Sequence, residues 1–203
     1  MNDTQNMALI DATHRTIVNH ADELTRLDQA IGDGDHGINM KRGFGAIAAD
    51  KEALSCQRFD EALHKAGMAL VMKVGGASGP LYGSLLMGMA KAAKAGQDLE
   101  GQLAQGIAMV KKRGKSDVGA KTMLDVLVPV HTALRDHRDL PLPELIAVIR
   151  QAADQAREAT RDMQALRGRA SFLGERSKGH YDPGATSCQL LIHAICDVME
   201  GEA

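Results

Sequence analysis

Several residue types are scarce in this sequence, and their scarcity excludes some common classes of protein. Its 203 residues include no tryptophan, and aromatic residues make up 2% of the chain. Stacking platforms for single-stranded nucleic acid are therefore not expected. The net charge of −2 gives no electrostatic reason to expect nucleic acid or an anionic membrane as a partner. Neither a signal peptide nor an apolar run of about 18 residues is present, so no membrane span is predicted.

Cysteine is also scarce. Cys56, Cys188 and Cys196 are odd in number and form no C-x-x-C pair. This usage is typical of a reducing cytoplasm, without structural disulfides or a cysteine zinc site. With 44% hydrophobic residues, the chain is long enough to bury a sizeable core, and we expect one domain over residues 1–203.

What the sequence does contain is helical periodicity, whereas alternating β-branched runs are missing. Apolar residues recur three, four and seven positions apart, which puts one apolar stripe on each of about eight helices. The predicted helices are Ile10–Leu24, 38–50, Phe59–Leu70, a helix from about Pro80, 99–113, Met123–Leu134, Leu145 to about Met163, and a helix after Asp182-Pro183-Gly184 that reaches Val198. Short connections between them predict an all-α, antiparallel eight-helix bundle.

The connections between these helices differ in composition. When the connections are numbered in chain order, the even-numbered ones, such as KAGQD, contain no notable motif. The odd-numbered ones hold most of the glycine and most of the polar residues that could have a function. All odd connections of an up-and-down bundle lie at the same end. We therefore expect four polar loops to converge on one rim, as functional loops often do on a rigid scaffold.

The first of these loops, AIGDGDHGINM, matches the dinucleotide fingerprint G-x-G-x-x-G. A helix precedes it instead of a strand, so we reject that interpretation, and an EF-hand fails because Ile38 occupies the invariant glycine position. What remains is three carboxylates, Asp28, Asp33 and Asp35, in a glycine-rich turn. Hard oxygen ligands favour Mg²⁺ or Ca²⁺, although helix capping by the same aspartates is the alternative.

The other odd loops also carry features of anion sites. Ser78 precedes Gly79-Pro80 at a helix start, where free N–H groups attract anions, although an ordinary N-cap has the same pattern. RGKS is not a Walker A loop, because Met109 replaces the first glycine. The last loop is basic, and its arginines suit phosphoryl oxygens; a solvated loop is the alternative.

Taken together and in this order, four stretches resemble the L subunit of dihydroxyacetone kinase and the nucleotide-binding domain of the single-chain kinases of that family. These stretches are LDQAIGDGDHGINM, GGASGPLYG, GAKTMLDV and GRASFLGERSKGHYDPGATS. The resemblance implies an antiparallel eight-helix barrel with ADP or ATP and two Mg²⁺ ions at one end. Because no dihydroxyacetone-binding domain accompanies these stretches, we expect a free-standing subunit.

The resemblance also implies roles for individual residues. The metal ligands would be Asp28, Asp33 and Asp35. The nucleotide contacts would be His36, Gly37, Ile38, Asn39, Ala77, Ser78, Gly114, Met123, Arg169, Asp182, Pro183 and Gly184. Arg169 would also be catalytic, beside the phosphates. At position 120 this chain has Ala where members of the family often have Asp. The contact that this Asp would make in the nucleotide-binding loop is therefore not expected here.

The predicted function is phosphoryl transfer from Mg²⁺-bound ADP or ATP to dihydroxyacetone held by a separate K subunit. A phosphocarrier M subunit of the phosphotransferase system would recharge bound ADP, and a homodimer is a further expectation. The alternatives are an ATP-dependent triose or tetrose kinase subunit, a non-catalytic nucleotide sensor that acts on a regulator, and a purely structural bundle. No nucleic acid or membrane partner is expected.

Overall fold

The computed structural model describes residues 3–201. Over that range the chain forms nine α-helices and two 3₁₀ segments, with no strand. The α-helices are α1 (Asp3–Ile31), α2 (His36–Ala49), α3 (Lys51–Ser55), α4 (Phe59–Lys73), α5 (Ser78–Lys94), α6 (Leu99–Gly114), α7 (Leu124–Asp136), α8 (Leu142–Ala159) and α9 (Pro183–Glu200). The 3₁₀ segments, Thr160–Asp162 and Arg169–Ser177, lie between α8 and α9.

The eight long helices close into a ring. Each packs against the next long helix along the chain, and α9 returns to pack against α1. The short helix α3 lies beside α1 and α4, outside this ring order. The predicted all-α, eight-helix barrel is therefore confirmed.

The apolar stripes of the helices meet inside the ring. The most deeply buried apolar side chains include Ile17 and Leu24 of α1, Met40 of α2 and Val126 of α7. Glycine allows α5 and α6 to pack closely, because a Cβ on Gly88 would lie 2.8 Å from the Cα of Gly106. Burial of these stripes supplies most of the stability of the helices.

Most observed helix boundaries differ from the predicted ones by a few residues, and three of the differences change the description of an element. Lys51–Ser55 forms α3, although KEALSC was expected to be a plain connection. Helix α8 ends at Ala159, and a 3₁₀ turn replaces the last residues of the predicted helix. Helix α1 extends to Ile31, so Asp28 lies in its last turn and not in the loop.

None of the helices within residues 3–201 is both long enough and apolar enough to cross a membrane.

Candidate functional site

One end of the barrel contains a cavity of about 390 Å³, within the size range of small-molecule sites. All four odd connections contribute to its wall, which confirms the predicted convergence of the polar loops. The wall includes Asp28, Asp33, Asp35, His36, Gly76, Ala77, Ser78, Tyr82, Arg113, Gly114, Lys121, Thr122, Met123, Arg167, Arg169, Asp182, Pro183 and Gly184.

Three carboxylates stand together on one side of this cavity. One oxygen from each of Asp28, Asp33 and Asp35 lies within 4.8 Å of the other two. Asp28 sits near the C-terminus of α1, where the helix dipole disfavours a negative charge. Like charges at this separation repel, so the cluster has the chemistry of a cation site with hard oxygen ligands.

Local backbone geometry brings the three aspartates together. Gly34 adopts φ +75°, a conformation that favours glycine, and the turn that results folds α2 back beside α1. The Oδ2 atom of Asp28 then accepts hydrogen bonds from the backbone N–H of Asp35 at 2.8 Å and of His36 at 3.1 Å.

This arrangement bears on the capping alternative. Asp35 precedes α2 but makes no side-chain capping bond to it. Asp28 caps the start of α2 from the preceding helix, through one carboxylate oxygen. Capping therefore accounts for one oxygen of Asp28 and leaves the proximity of Asp33 and Asp35 unexplained.

A buried hydrogen-bond chain runs behind the carboxylates. The imidazole Nδ1 of His36 lies 2.9 Å from Ser78 Oγ, and Nε2 lies 2.9 Å from Ser187 Oγ. The hydroxyl of Tyr82 extends the chain to Ser187 at 2.7 Å. Burial lowers the pKa of His36 to about 4, despite the nearby charge of Asp28. The imidazole is therefore neutral near pH 7 and connects two serine hydroxyls.

The basic loop, which we define as residues 160–182, contributes residues 167–170 to the cavity wall. Gly168 adopts φ +67° immediately before Arg169. The Nε atom of Arg169 then lies 2.7 Å from Asp33 Oδ2. This ion pair is largely solvent-exposed, so it adds little to stability, but it brings a guanidinium group to the carboxylate cluster.

The starts of α7 and α9 form another part of the cavity wall. Met123 is buried beside Gly184. The Asp182 carboxylate caps α9 through the N–H of Ala185 at 2.7 Å. The pKa of Asp182 is raised to about 7, chiefly by burial and also by the nearby charge of Asp125, although the hydrogen bond from Ala185 and the charge of Lys121 act to lower it.

Most of the predicted site residues line the cavity, but Gly37, Ile38 and Asn39 do not. Gly37 packs α2 against α1, because a Cβ there would collide with the carbonyl oxygen of Ala21. Ile38 is 55% exposed, and Asn39 is buried with its side-chain amide near Gly75. Their predicted nucleotide contacts stay predictions.

Sequence reasoning missed three polar residues of this end. Tyr82 and Ser187 lie inside helices, and although both fall in stretches that resemble the family, neither was assigned a role. For Lys121 the sequence contains only a weak indication of a role, namely its position shortly after Gly119 in one of the polar loops. Its 1% exposure is visible only in the folded chain.

The fold and this cavity define a class: an all-helical barrel with a ligand-sized pocket at one end, lined by both charged and apolar side chains. Residues 30–197 match the DAK2 domain family. An ADP-binding subunit DhaL of PEP-dependent dihydroxyacetone kinase 1 from Listeria innocua is 45% identical over 85% of this chain and 84% of the relative. The corresponding Escherichia coli K12 subunit is 42% identical over 85% of both chains.

A solved structure supports the same fold. The dihydroxyacetone kinase of C. freundii, in complex with AMP-PNP and Mg²⁺, superposes with a TM-score of 0.78 and 24% identity. It covers 94% of this chain, which spans 33% of that kinase. The chain therefore belongs to the DAK2 domain family, and the two relatives named above are ADP-binding subunits of dihydroxyacetone kinases, which are phosphotransferases.

Proposed function

We propose that this chain is the nucleotide-binding subunit of a dihydroxyacetone kinase and that it passes a phosphoryl group to dihydroxyacetone held by a separate K-type subunit. The observation that carries the proposal is the meeting of three carboxylates and the Arg169 guanidinium at one wall of a nucleotide-sized cavity. Phosphoryl transfer depends on positioning and charge neutralisation more than on covalent chemistry from the protein.

The carboxylate cluster fits Mg²⁺. Asp28, Asp33 and Asp35 offer closely spaced oxygen ligands from one turn, as hard divalent cations require. When bound, Mg²⁺ neutralises phosphate charge and holds phosphate oxygens in place. The family resemblance implies two ions, and three carboxylates can be shared between two such ions.

The remaining walls suit a nucleotide diphosphate or triphosphate. Ala77 and Ser78 begin α5, where backbone N–H groups and the helix dipole attract a phosphate oxygen. The neutral His36 orients the Ser78 hydroxyl. Arg169 offsets the charge that develops on the transferred group, and Gly114, Met123 and Asp182–Gly184 enclose the base.

For the phosphate supply, we propose that ADP stays bound as a cofactor and that a phosphocarrier M subunit recharges it. The two relatives described above support this choice, since both are named as subunits of PEP-dependent kinases and match this chain over most of their length. An ATP-dependent kinase subunit is the second candidate.

The test of the metal assignment compares two Asp→Asn variants. Asp33→Asn alters the cluster, whereas Asp136→Asn alters an exposed carboxylate at the end of α7 that pairs with Arg135. Calorimetry should find Mg²⁺-dependent ADP binding in the wild type and in Asp136→Asn, with a large loss in Asp33→Asn. Full binding and transfer activity in Asp33→Asn would overturn the assignment.

A second experiment separates the two phosphate supplies and the sensor alternative. Dihydroxyacetone phosphorylation is measured with a K-type partner and excess ATP, with and without a phosphocarrier. We expect turnover only with the phosphocarrier, whereas sustained turnover without it would make ATP a cosubstrate. Nucleotide binding without transfer under either condition would favour the non-catalytic sensor.

A further inference from the structure

The ammonium group of Lys121 lies inside the protein, where it contacts three backbone carbonyls. Its Nζ atom donates hydrogen bonds to the carbonyl oxygens of Met163 at 3.1 Å, Ser177 at 2.6 Å and His180 at 2.7 Å. An ammonium has three donors and no acceptor, so these three bonds satisfy it completely. Lys121 is 1% exposed.

The three carbonyls belong to the two ends of the basic loop. Met163 lies where the loop leaves α8, and Ser177 and His180 lie where it returns to α9. One cation therefore connects both ends of the segment that carries Arg169 between them. Two further bonds close the same ends: Gly179 N–H to Arg161 O at 2.8 Å and Ala165 N–H to Ser177 Oγ at 2.9 Å.

Lys121 adopts an unfavourable backbone conformation to reach this position. Its φ is +60°, in the left-handed region that side-chain-bearing residues rarely occupy. A buried ammonium also loses its hydration, and this burial lowers the pKa of Lys121. Both costs persist only where the surrounding structure compensates for them, and here the compensation is the closure of the loop.

We propose that Lys121 is a positioning residue for phosphoryl transfer: its ammonium fixes the two ends of the basic loop so that Arg169 stands at the carboxylate cluster. Arg169 has no buried support of its own, since its side chain is 70% exposed. Apart from its ion pair with Asp33, its placement therefore depends on the loop backbone. The expected effect of Lys121 on catalysis rests on the proposed function, whereas the closure of the loop by its ammonium does not.

The test uses Lys121→Met, which keeps the length of the apolar stem but removes the ammonium. Lys178→Met is the matched control, because Lys178 lies on the same loop and its exposed ammonium pairs with Glu175. Arg169→Met and the double variant Lys121→Met/Arg169→Met complete a double-mutant cycle. Phosphoryl transfer is measured with a K-type partner and a phosphocarrier.

We expect Arg169→Met to lower the transfer rate about 100-fold, as the loss of an oriented charged group does. Lys121→Met should lower it at least about 10-fold, since small displacements of a positioned group have effects of that size. The double variant should fall within about threefold of Arg169→Met, because Lys121 acts through Arg169. Losses that multiply, or a Lys121→Met rate equal to that of Lys178→Met, would overturn the proposal.

Loop order is a second readout that does not depend on activity. Trypsin should cleave Lys121→Met after Arg167 or Arg169 at least about 10-fold faster than it cleaves Lys178→Met, since proteolysis follows local opening. Circular dichroism should show the helices of both variants intact. Loss of the helical signal in Lys121→Met would overturn the local role and make the residue one of general stability.

These readouts separate the two proposals. If the wild-type chain transfers no phosphate but the protease contrast appears, the proposed function fails and the loop closure stands. If the wild type transfers phosphate and Lys121→Met resembles its control in both assays, the function stands and the inference fails.

Discussion

The two ends of the barrel join the same helices but hold their connections in different ways. At the far end, α6 begins with an ordinary exposed cap, in which Asp98 accepts a hydrogen bond from the Gly101 N–H. At the cavity end, buried charges hold the loops: Asp125 accepts from Gly119 N–H and Thr122 N–H, and Lys121 donates to three carbonyls.

This difference shows that closing the barrel does not require the charged cavity end. Turns and simple caps are enough to reverse the chain at the far end. Burying carboxylates and an ammonium is costly unless each is fully hydrogen-bonded. The cavity end therefore contains more polar structure than folding requires, as a binding site built on a rigid scaffold does.

The largest expected effect contrasts the two ends of α2. Asp35 precedes this helix at the cavity, and Asp50 follows it at the far end. Asp35→Asn should lower phosphoryl transfer about 1,000-fold, since it removes a carboxylate of the cluster where charge neutralisation is needed. Asp50→Asn should stay within about twofold of the wild type. Steady-state kinetics with a K-type partner measures the transfer rate of each variant. Equal losses in the two variants would contradict the proposed difference between the two ends of the barrel.

The second effect contrasts buried and exposed carboxylates that hold backbone N–H groups. Asp125 is 2% exposed, and Asp125→Ala removes the acceptor of its hydrogen bonds from Gly119 N–H and Thr122 N–H. Because hydrogen bonds to a charged group contribute about 1.5 kcal/mol or more each, the expected cost is about 3 kcal/mol in the free energy of unfolding. Asp98→Ala at the far end should cost about 1 kcal/mol, as a lost N-cap does. Urea denaturation measures both values. A larger loss in Asp98→Ala would contradict this explanation.

The cavity end should also give the protein a distinctive pH dependence. Asp182 has a folded-state pKa of about 7, above its ordinary value of 3.8, and faces Asp125, Lys121 and Asp28. The folded state therefore holds a proton that the unfolded state has released, so this group's contribution to stability falls as the pH rises from 4 through 7. Asp182→Asn removes that contribution and keeps an acceptor for the α9 cap.

The stability of Asp182→Asn relative to the wild type should consequently increase by about 2 kcal/mol between pH 5 and pH 7. Urea denaturation of both proteins at several pH values measures this difference. Parallel stability curves would show that Asp182 does not retain its proton on folding.

The same contrast explains what sequence analysis was able to predict. The eight long helices follow from apolar spacing, since each stripe depends only on residues within a few turns. The convergence of the polar loops follows from helix count and short connections. The cluster of Asp28, Asp33 and Asp35 could be predicted because the three residues are close together along the chain.

The features that escaped prediction depend on contacts between distant segments. Ser187 meets His36 across 151 positions in sequence, and Lys121 reaches His180 across 59. Residue identity indicates no partner at such separations, and a lysine in a polar loop is usually exposed. The left-handed backbone conformation of Lys121 could not be predicted either, because this conformation is usually adopted by glycine and not by lysine.

The smallest expected effect concerns exposed ion pairs, which occur at both ends. Lys178 pairs with Glu175 in the basic loop. At the far end, Lys51 at the start of α3 pairs with Asp11 of α1. Because these pairs remain partly hydrated, Lys178→Met and Lys51→Met should each change the free energy of unfolding by no more than about 0.5 kcal/mol. Urea denaturation at 0.05 M and 0.5 M salt checks this, since screening should remove what remains. A loss of several kcal/mol in Lys178→Met alone would mean that surface pairs, and not the buried groups, distinguish the cavity end.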